Sequence, residues 1–324
     1  MKANGGNQTR LTNNLGYDGQ PDWKPAAQAS PEKVLLLSSS SGGKVGGVTF
    51  RDEDILAYNP RTARWSLYFD GTDVGLTTDI DALSRLWDGS LVMSFNVPTT
   101  LPGLGLVDDS DLVRFVPTGL GPNTTGAFTT FISGSRLETT TDAEDIDALY
   151  SVTMYAIDFS AIGRANVSGL IAQDEDVIHH SDDSYYRYGY EWWRLFLDGS
   201  QLLLTNASED ISGFGRDGEH TYYSTLGAFA MPGLNGTGAD IFELTEDPAS
   251  GQLTPTMFWD GSQYGFGAEV IDALEIVYLT DLPISAADFT VDEPAEVGDE
   301  VDDVDGSEED RLRPLQENQS SVGA

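Results

Sequence analysis

A chain of 324 residues with a formal net charge of -36, from 53 acidic against 17 basic side chains, has no basic patch to meet phosphates, so no nucleic-acid binding is expected. It contains no cysteine, which excludes disulfides, thiolate metal sites and a cysteine nucleophile. No apolar run approaches the ~18 residues of a membrane helix, so no membrane insertion is expected, while 40% hydrophobic residues are enough for a core.

Like charges at this density repel and weaken a compact state in dilute buffer. At 1 M salt the Debye length falls to roughly 3 Å and the repulsion is screened. Only Lys2, Lys24, Lys33 and Lys44 are lysines. Such an acidic, lysine-poor composition resembles that of proteins from salt-loving archaea and bacteria, with a calcium-rich extracellular protein as the alternative.

Residues 1–33, rich in Asn, Gly, Gln and Pro, read as a flexible arm, and Met1 to Leu15 lack the apolar stretch of a signal peptide. Residues 34–282 carry a repeat. Its clearest mark is four Asp-led strands opening at Asp54, Asp111, Asp176 and Asp240, spaced 57, 65 and 64 residues apart. Each unit is read as an apolar strand (Val34–Ser38, Leu91–Phe95, Thr153–Ile157, Thr221–Thr225), then a Gly/Pro loop such as Pro102-Gly-Leu-Gly, then the Asp-led strand. An aromatic strand follows (Trp65–Phe69, Ala127–Ile132, Trp192–Leu197, Pro255–Trp259) and ends in a Gly turn at Gly71, Gly134, Gly199 or Gly261. The last strand carries Asp79-Ile-Asp-Ala-Leu, Asp145-Ile-Asp-Ala-Leu, Asp210-Ile-Ser-Gly-Phe or Val270-Ile-Asp-Ala-Leu. Residues 283–324 form an acidic tail with a disordered signature, eleven carboxylates lying between Asp292 and Asp310.

A period this long, with several strands per unit, predicts an all-β propeller. If the Asp-Ile-Asp strand is innermost, blade one lacks it at the N-terminus and the strand at Val270–Leu279 supplies it from the C-terminus. Four four-stranded blades then close into a ring. A β-sandwich is the alternative.

Phe69-Asp-Gly-Thr-Asp-Val-Gly-Leu76, with Arg51-Asp-Glu-Asp54, resembles an Asp-rich, propeller-type repeat of many uncharacterised bacterial and archaeal proteins. The resemblance covers about 34–279. It implies the fold and export, and no assigned activity. Two places depart from the pattern: Gly238-Ala239 replace acids, and Ser212 replaces the second inner-strand Asp.

Side chains two apart on a strand share a face. Asp79, Asp145 and Asp210 would therefore form one axial ring, and Asp81, Asp147 and Asp272 a second. Converging carboxylates need a cation or shared protons, and Ca²⁺, with six to eight oxygen ligands at about 2.3–2.6 Å, suits them. Four-bladed propellers of the haemopexin type are similar in holding tunnel ions, a likeness at the level of fold only. The competing reading is that these aspartates only cap backbone amides. A second acid set, Asp52-Glu53-Asp54, Asp108-Asp109 with Asp111, and Asp174-Glu175-Asp176, precedes the Asp-led strands. It could hold one Ca²⁺ per blade, although its spacing is not that of an EF-hand.

In blade three, Tyr185, Tyr186, Tyr188 and Tyr190 are candidate ligand-binding residues for a glycan or a protein partner. His179 and His180 are adjacent on a strand and face opposite ways, against a shared zinc ion. Six Asn-x-Ser/Thr sequons would be usable outside the cell. Three functions are carried forward. The first is a non-catalytic binding or surface-structural propeller, stabilised by cations or salt. The second is a structural component of a larger assembly such as a virion or surface appendage. The third is a carbohydrate-active enzyme.

Overall fold

The computed structural model describes residues 31–182, 191–218 and 220–283. Nearly all of the expected arm and tail, and the four tyrosines at 185, 186, 188 and 190, lie outside the described residues.

Four antiparallel four-stranded sheets stand around an axis. From the axis outward, blade one is Ile271–Tyr278, Lys33–Ser39, Ile55–Asn59 and Arg64–Phe69. Blade two is Ile80–Arg85, Leu91–Phe95, Leu112–Gly119 and Thr125–Ile132. Blade three is Ile146–Thr153, Ala156–Ala161, Val177–Asp182 and Glu191–Leu197. Blade four is Gly213–Asp217, His220–Ser224, Asp240–Glu246 and Leu253–Asp260. The four innermost strands pack on one another in the order one, two, three, four and back to one. The fold is a four-bladed β-propeller. It is not the two-layer sandwich, because each sheet packs against two neighbours.

Closure is by the two ends of the repeat region. Ile271–Tyr278 runs antiparallel to Lys33–Ser39, with Lys33 opposite Tyr278 and Leu37 opposite Leu274. The continuous apolar run Val34-Leu-Leu-Leu37 follows from this geometry, since a sheet buried on both faces has no polar side. Val34 and Leu36 pack toward blade two, beside Leu83, Met93 and Phe95. Leu35 and Leu37 pack toward blade four, beside Tyr222, Ile241 and Trp259. All four are fully buried, each worth about 1.5–3 kcal/mol. The seam between blades four and one is also filled by rings. Trp65 stacks on Phe266 at 5.3 Å, and Tyr58 lies 4.6 Å from Trp65 and 5.3 Å from Trp259, measured between centroids.

The Asp that leads each third strand caps a turn in every blade. Asp54 Oδ2 accepts from Arg51 N and Oδ1 from Gly71 N, both at 2.9 Å. Asp111, Asp176 and Asp240 repeat this with Gly134, Gly199 and Gly261. The glycines are required by close approach: a Cβ at Gly199 would meet Glu175 O at 2.2 Å.

Three details differ from the strand pattern expected. The Gly/Pro loops are the tips of short hairpins, such as Thr99–Leu101 with Gly105–Val107. In blade three the inner strand runs on to Thr153, so the second strand starts at Ala156 and not at Thr153. The inner strands of blades one, two and three are not regular. Pairing jumps from Ile80 to Ala82, from Ile146 to Ala148 and from Ala273 to Ile271, leaving Asp81, Asp147 and Asp272 as bulged residues. A bulge re-aims the side chain it carries.

Candidate functional site

The bulges and the strand starts gather the six axial acids near the axis, where Asp81 acts on Asp147 and Asp272 of its own expected ring and each second acid also neighbours a first acid of the next blade. The first acid of one blade meets the second acid of the blade before it. Asp79 of blade two and Asp272 of blade one are within hydrogen-bonding reach of each other, as are Asp210 of blade four and Asp147 of blade three. Asp145 of blade three exerts the largest charge effect on Asp81 of blade two. The alternation rule assigns Asp79 and Asp81 to one face of one strand. With Asp81 bulged out of the ladder, each serves a different junction.

All six acids are buried. One carboxylate oxygen on each of Asp79, Asp81, Asp145, Asp147 and Asp210, and both on Asp272, is buried without a hydrogen-bond donor. Asn96 Nδ2 donates to the other oxygen of Asp79 at 3.2 Å. Two ionised carboxylates are acceptors only, and at ~4 Å with an effective dielectric near 20 they repel by about 4 kcal/mol. A proton or a cation between them removes that cost. Without a cation the acids hold protons more tightly. Burial, with the charges of Asp52 and Glu53 nearby, pushes Asp79 up to about 6. Burial raises Asp145 to about 7, with Asp109 and Asp108 contributing. Asp210 reaches about 7 by burial, with Asp174 and Glu175 adding to it. Asp81, Asp147 and Asp272 are held well above the carboxylate range, by burial first and by their acid neighbours second.

Two nearby glutamates with structural tasks behave in the opposite way. Glu144 and Glu209 directly precede axial acids, and each carboxylate accepts three backbone N–H groups. Burial opposes their ionisation, but these donors hold both below the usual glutamate range. Neither glutamate stood out in the sequence, although their place one residue before an axial Asp is a signal. The axial acids therefore differ from capping acids in having oxygens that no donor reaches.

The second acid set lies at the rim of the same junctions. Asp52, Asp109 and Asp174 are equivalent, because Ser38, Ser94 and Ser160 each donate from Oγ to their carbonyls. Each is half-buried and acts electrostatically on the axial pair beside it. Among the described residues no three Asp, Glu or His side chains converge on one point as a metal-ligand cluster. Three of the four junctions present a buried pair with a third acid at the edge.

The other candidates fall elsewhere. His179 bonds Asp158, which also pairs with Arg216 at 2.8 Å. His180 is fully buried and bonds Glu191 at 2.9 Å. The two rings face apart, as their adjacency required. Trp193 packs into the core between blades two and three, while Trp192 is 42% exposed. No helix among the described residues is long and apolar enough to cross a membrane.

No protein-family model matches the chain, and no curated protein matches it either. Among solved structures it is similar to a protein of unknown function from Bacteroides caccae. That match has 9% identity and a TM-score of 0.32, covering 76% of this chain and 99% of that one. It is also similar to the extracellular domain of a protein described as a one-component system, from B. thetaiotaomicron. Here identity is 12% and the TM-score 0.26, covering 69% of this chain and 35% of that one, about a third of its length.

Proposed function

We propose that this chain is a non-catalytic binding or surface-structural propeller whose acidic junctions are neutralised by cations, calcium foremost, or by high salt. The observation that carries the reading is repetition: the buried, donorless carboxylates recur at successive junctions instead of forming one unique constellation. Catalysis breaks symmetry at one place, whereas stabilisation uses the same device many times. The acidic, lysine-poor composition and the six glycosylation sequons favour a setting outside the cell or in a larger assembly, such as a virion or appendage. The partner would be a protein or a glycan at that surface. Trp87, 86% exposed at the turn leaving the inner strand of blade two, offers one aromatic for such a contact.

Two assays test this reading. Thermal melts at fixed ionic strength compare EDTA with added CaCl₂, and the account expects a higher midpoint with calcium. A panel of polysaccharides and glycosides is screened for binding and for hydrolysis. Turnover of any of them would replace the scaffold reading with the carbohydrate-active one.

A further inference from the structure

The fourth junction is an internal control for the other three. Between blades four and one, the position of the first axial acid is Val270, that of the second is Ser212, and that of the rim acid is Gly238. All three carboxylates are absent together. The two departures noted separately in the sequence thus belong to a single place in the fold. Several backbone contacts that frame the junction persist at that place, although Ser212 precedes the regular strand Gly213–Asp217 and is not a bulged residue as Asp81, Asp147 and Asp272 are. Ser224 Oγ donates to the carbonyls of Gly238 and Asp240, as Ser38 Oγ does to those of Asp52 and Asp54. Ile271 N donates to Gly238 O at 2.8 Å, as Ile80 N does to Asp52 O and Ile211 N to Asp174 O. Ser40 N donates to Val270 O, as Asn96, Ile162 and Leu226 donate to the carbonyls of the three first acids. Ser212 closes its own hydroxyl onto Ile271 O at 2.7 Å.

Had the acids been there to hold the backbone, this junction would need them too, and it does not. Had they been there for solubility, they would be exposed and would not vanish as a set. Their joint loss is the behaviour of ligands to one shared ion, where removing one member leaves the others repelling for no return. Buried oxygens without donors remain at the three junctions that keep the set: Asp272 has two, and Asp81 and Asp147 one each, on residues 5–6% exposed.

We propose that each of the three acid-bearing junctions binds one divalent cation of the calcium type, between the buried carboxylate pair and the rim acid, and that the fourth junction binds none. The three sites are Asp79 with Asp272 and Asp52, Asp145 with Asp81 and Asp109, and Asp210 with Asp147 and Asp174. Backbone carbonyls and water complete the six to eight oxygens that calcium takes. The proposal rests on the cation-stabilised reading above and refines it to a number and a set of places.

The test is calorimetric titration of the EDTA-treated full chain with CaCl₂ at fixed ionic strength, alongside native mass spectrometry in the same calcium. The expected result is saturable binding of three ions. The pair D79N and D272N should leave two, and D147N with D210N should also leave two, each variant retaining the wild-type circular dichroism. The reverse change, S212D with V270D, should raise the count toward four. A count that stays at three in both deletion pairs overturns the proposal, as does the absence of saturable binding in the wild type. If NaCl stabilises as well as CaCl₂ and no ion binds stoichiometrically, the sites are wrong and the salt-stabilised scaffold stands. Turnover in the glycoside screen with three bound ions would instead retain the sites and reject the scaffold reading.

Discussion

Glu275 sits on the innermost strand of blade one, 3% exposed, and had no acidic counterpart in the other units to mark it. Its Oε2 accepts from Ser84 Oγ and Arg85 N, both at 2.9 Å, and its Oε1 from Ile276 N at 3.1 Å. Burial outweighs these donors and raises its pKa from the ordinary 4.5 to about 7. The sign follows from linkage: the unfolded chain releases the proton first, so stability present at low pH is lost as pH rises through about 7. At about 1.4 kcal/mol per pH unit the loss between pH 4 and pH 8 is about 3 kcal/mol. The variant E275Q cannot ionise. Its amide faces Ile276 N–H in place of an acceptor, which costs about 1 kcal/mol at every pH. Urea unfolding of both proteins at pH 4 and pH 8, at one high ionic strength, should therefore cross over. The wild type is expected to be more stable by about 1 kcal/mol at pH 4, and the variant by about 2 kcal/mol at pH 8. The axial aspartates titrate in both proteins and cancel in the difference. Parallel pH profiles for the two proteins would refute the argument.

Further outcomes follow from other contacts. D240A removes the acceptor of Thr237 N and Gly261 N and should cost about 2–4 kcal/mol in chemical denaturation. D176A should cost a similar amount, because the cap is the same in each blade. G199A drives a Cβ against Glu175 O and should lower stability by about 1–3 kcal/mol with little change in calcium stoichiometry. Lys33 pairs with Asp217 at 2.7 Å and Tyr222 at 2.6 Å across the seam between blades one and four. K33M removes the cation beside the buried Asp217 and leaves it the Tyr222 hydroxyl as donor. Because Lys33 is about a third exposed, the expected cost is about 1–2 kcal/mol and not the full value of a buried pair. If closure were not at this seam, K33M would behave as a surface substitution, within about 0.5 kcal/mol of wild type.

The repeat was legible because the same backbone task recurs. Asp54, Asp111, Asp176 and Asp240 cap the same turn, so one residue type survives in all four units while the strands around it diverge. Ring closure was legible from strand counting, and Val34 to Leu37 agreed with it by being apolar on both faces. The pairing of the axial acids was not legible. It depends on bulges at Asp81, Asp147 and Asp272, and a strand written in one dimension carries no mark of a skipped residue. The pairs also join positions in different units, so stacking the repeats aligns Asp79 with Asp145 when its neighbour in space is Asp272. The short hairpins escaped notice because three-residue strands flanked by Gly and Pro look like loops. Ser212 and Gly238 looked like unrelated lapses until the fold placed them at one junction.

Anomalous diffraction from crystals grown in calcium, or in terbium as a stronger scatterer of similar coordination, tests the cation account most directly. The account predicts one peak at each of the junctions marked by Asp79, Asp145 and Asp210, and none beside Ser212. Featureless anomalous maps at all four, with the carboxyls drawn together in proton-sharing pairs, would contradict it.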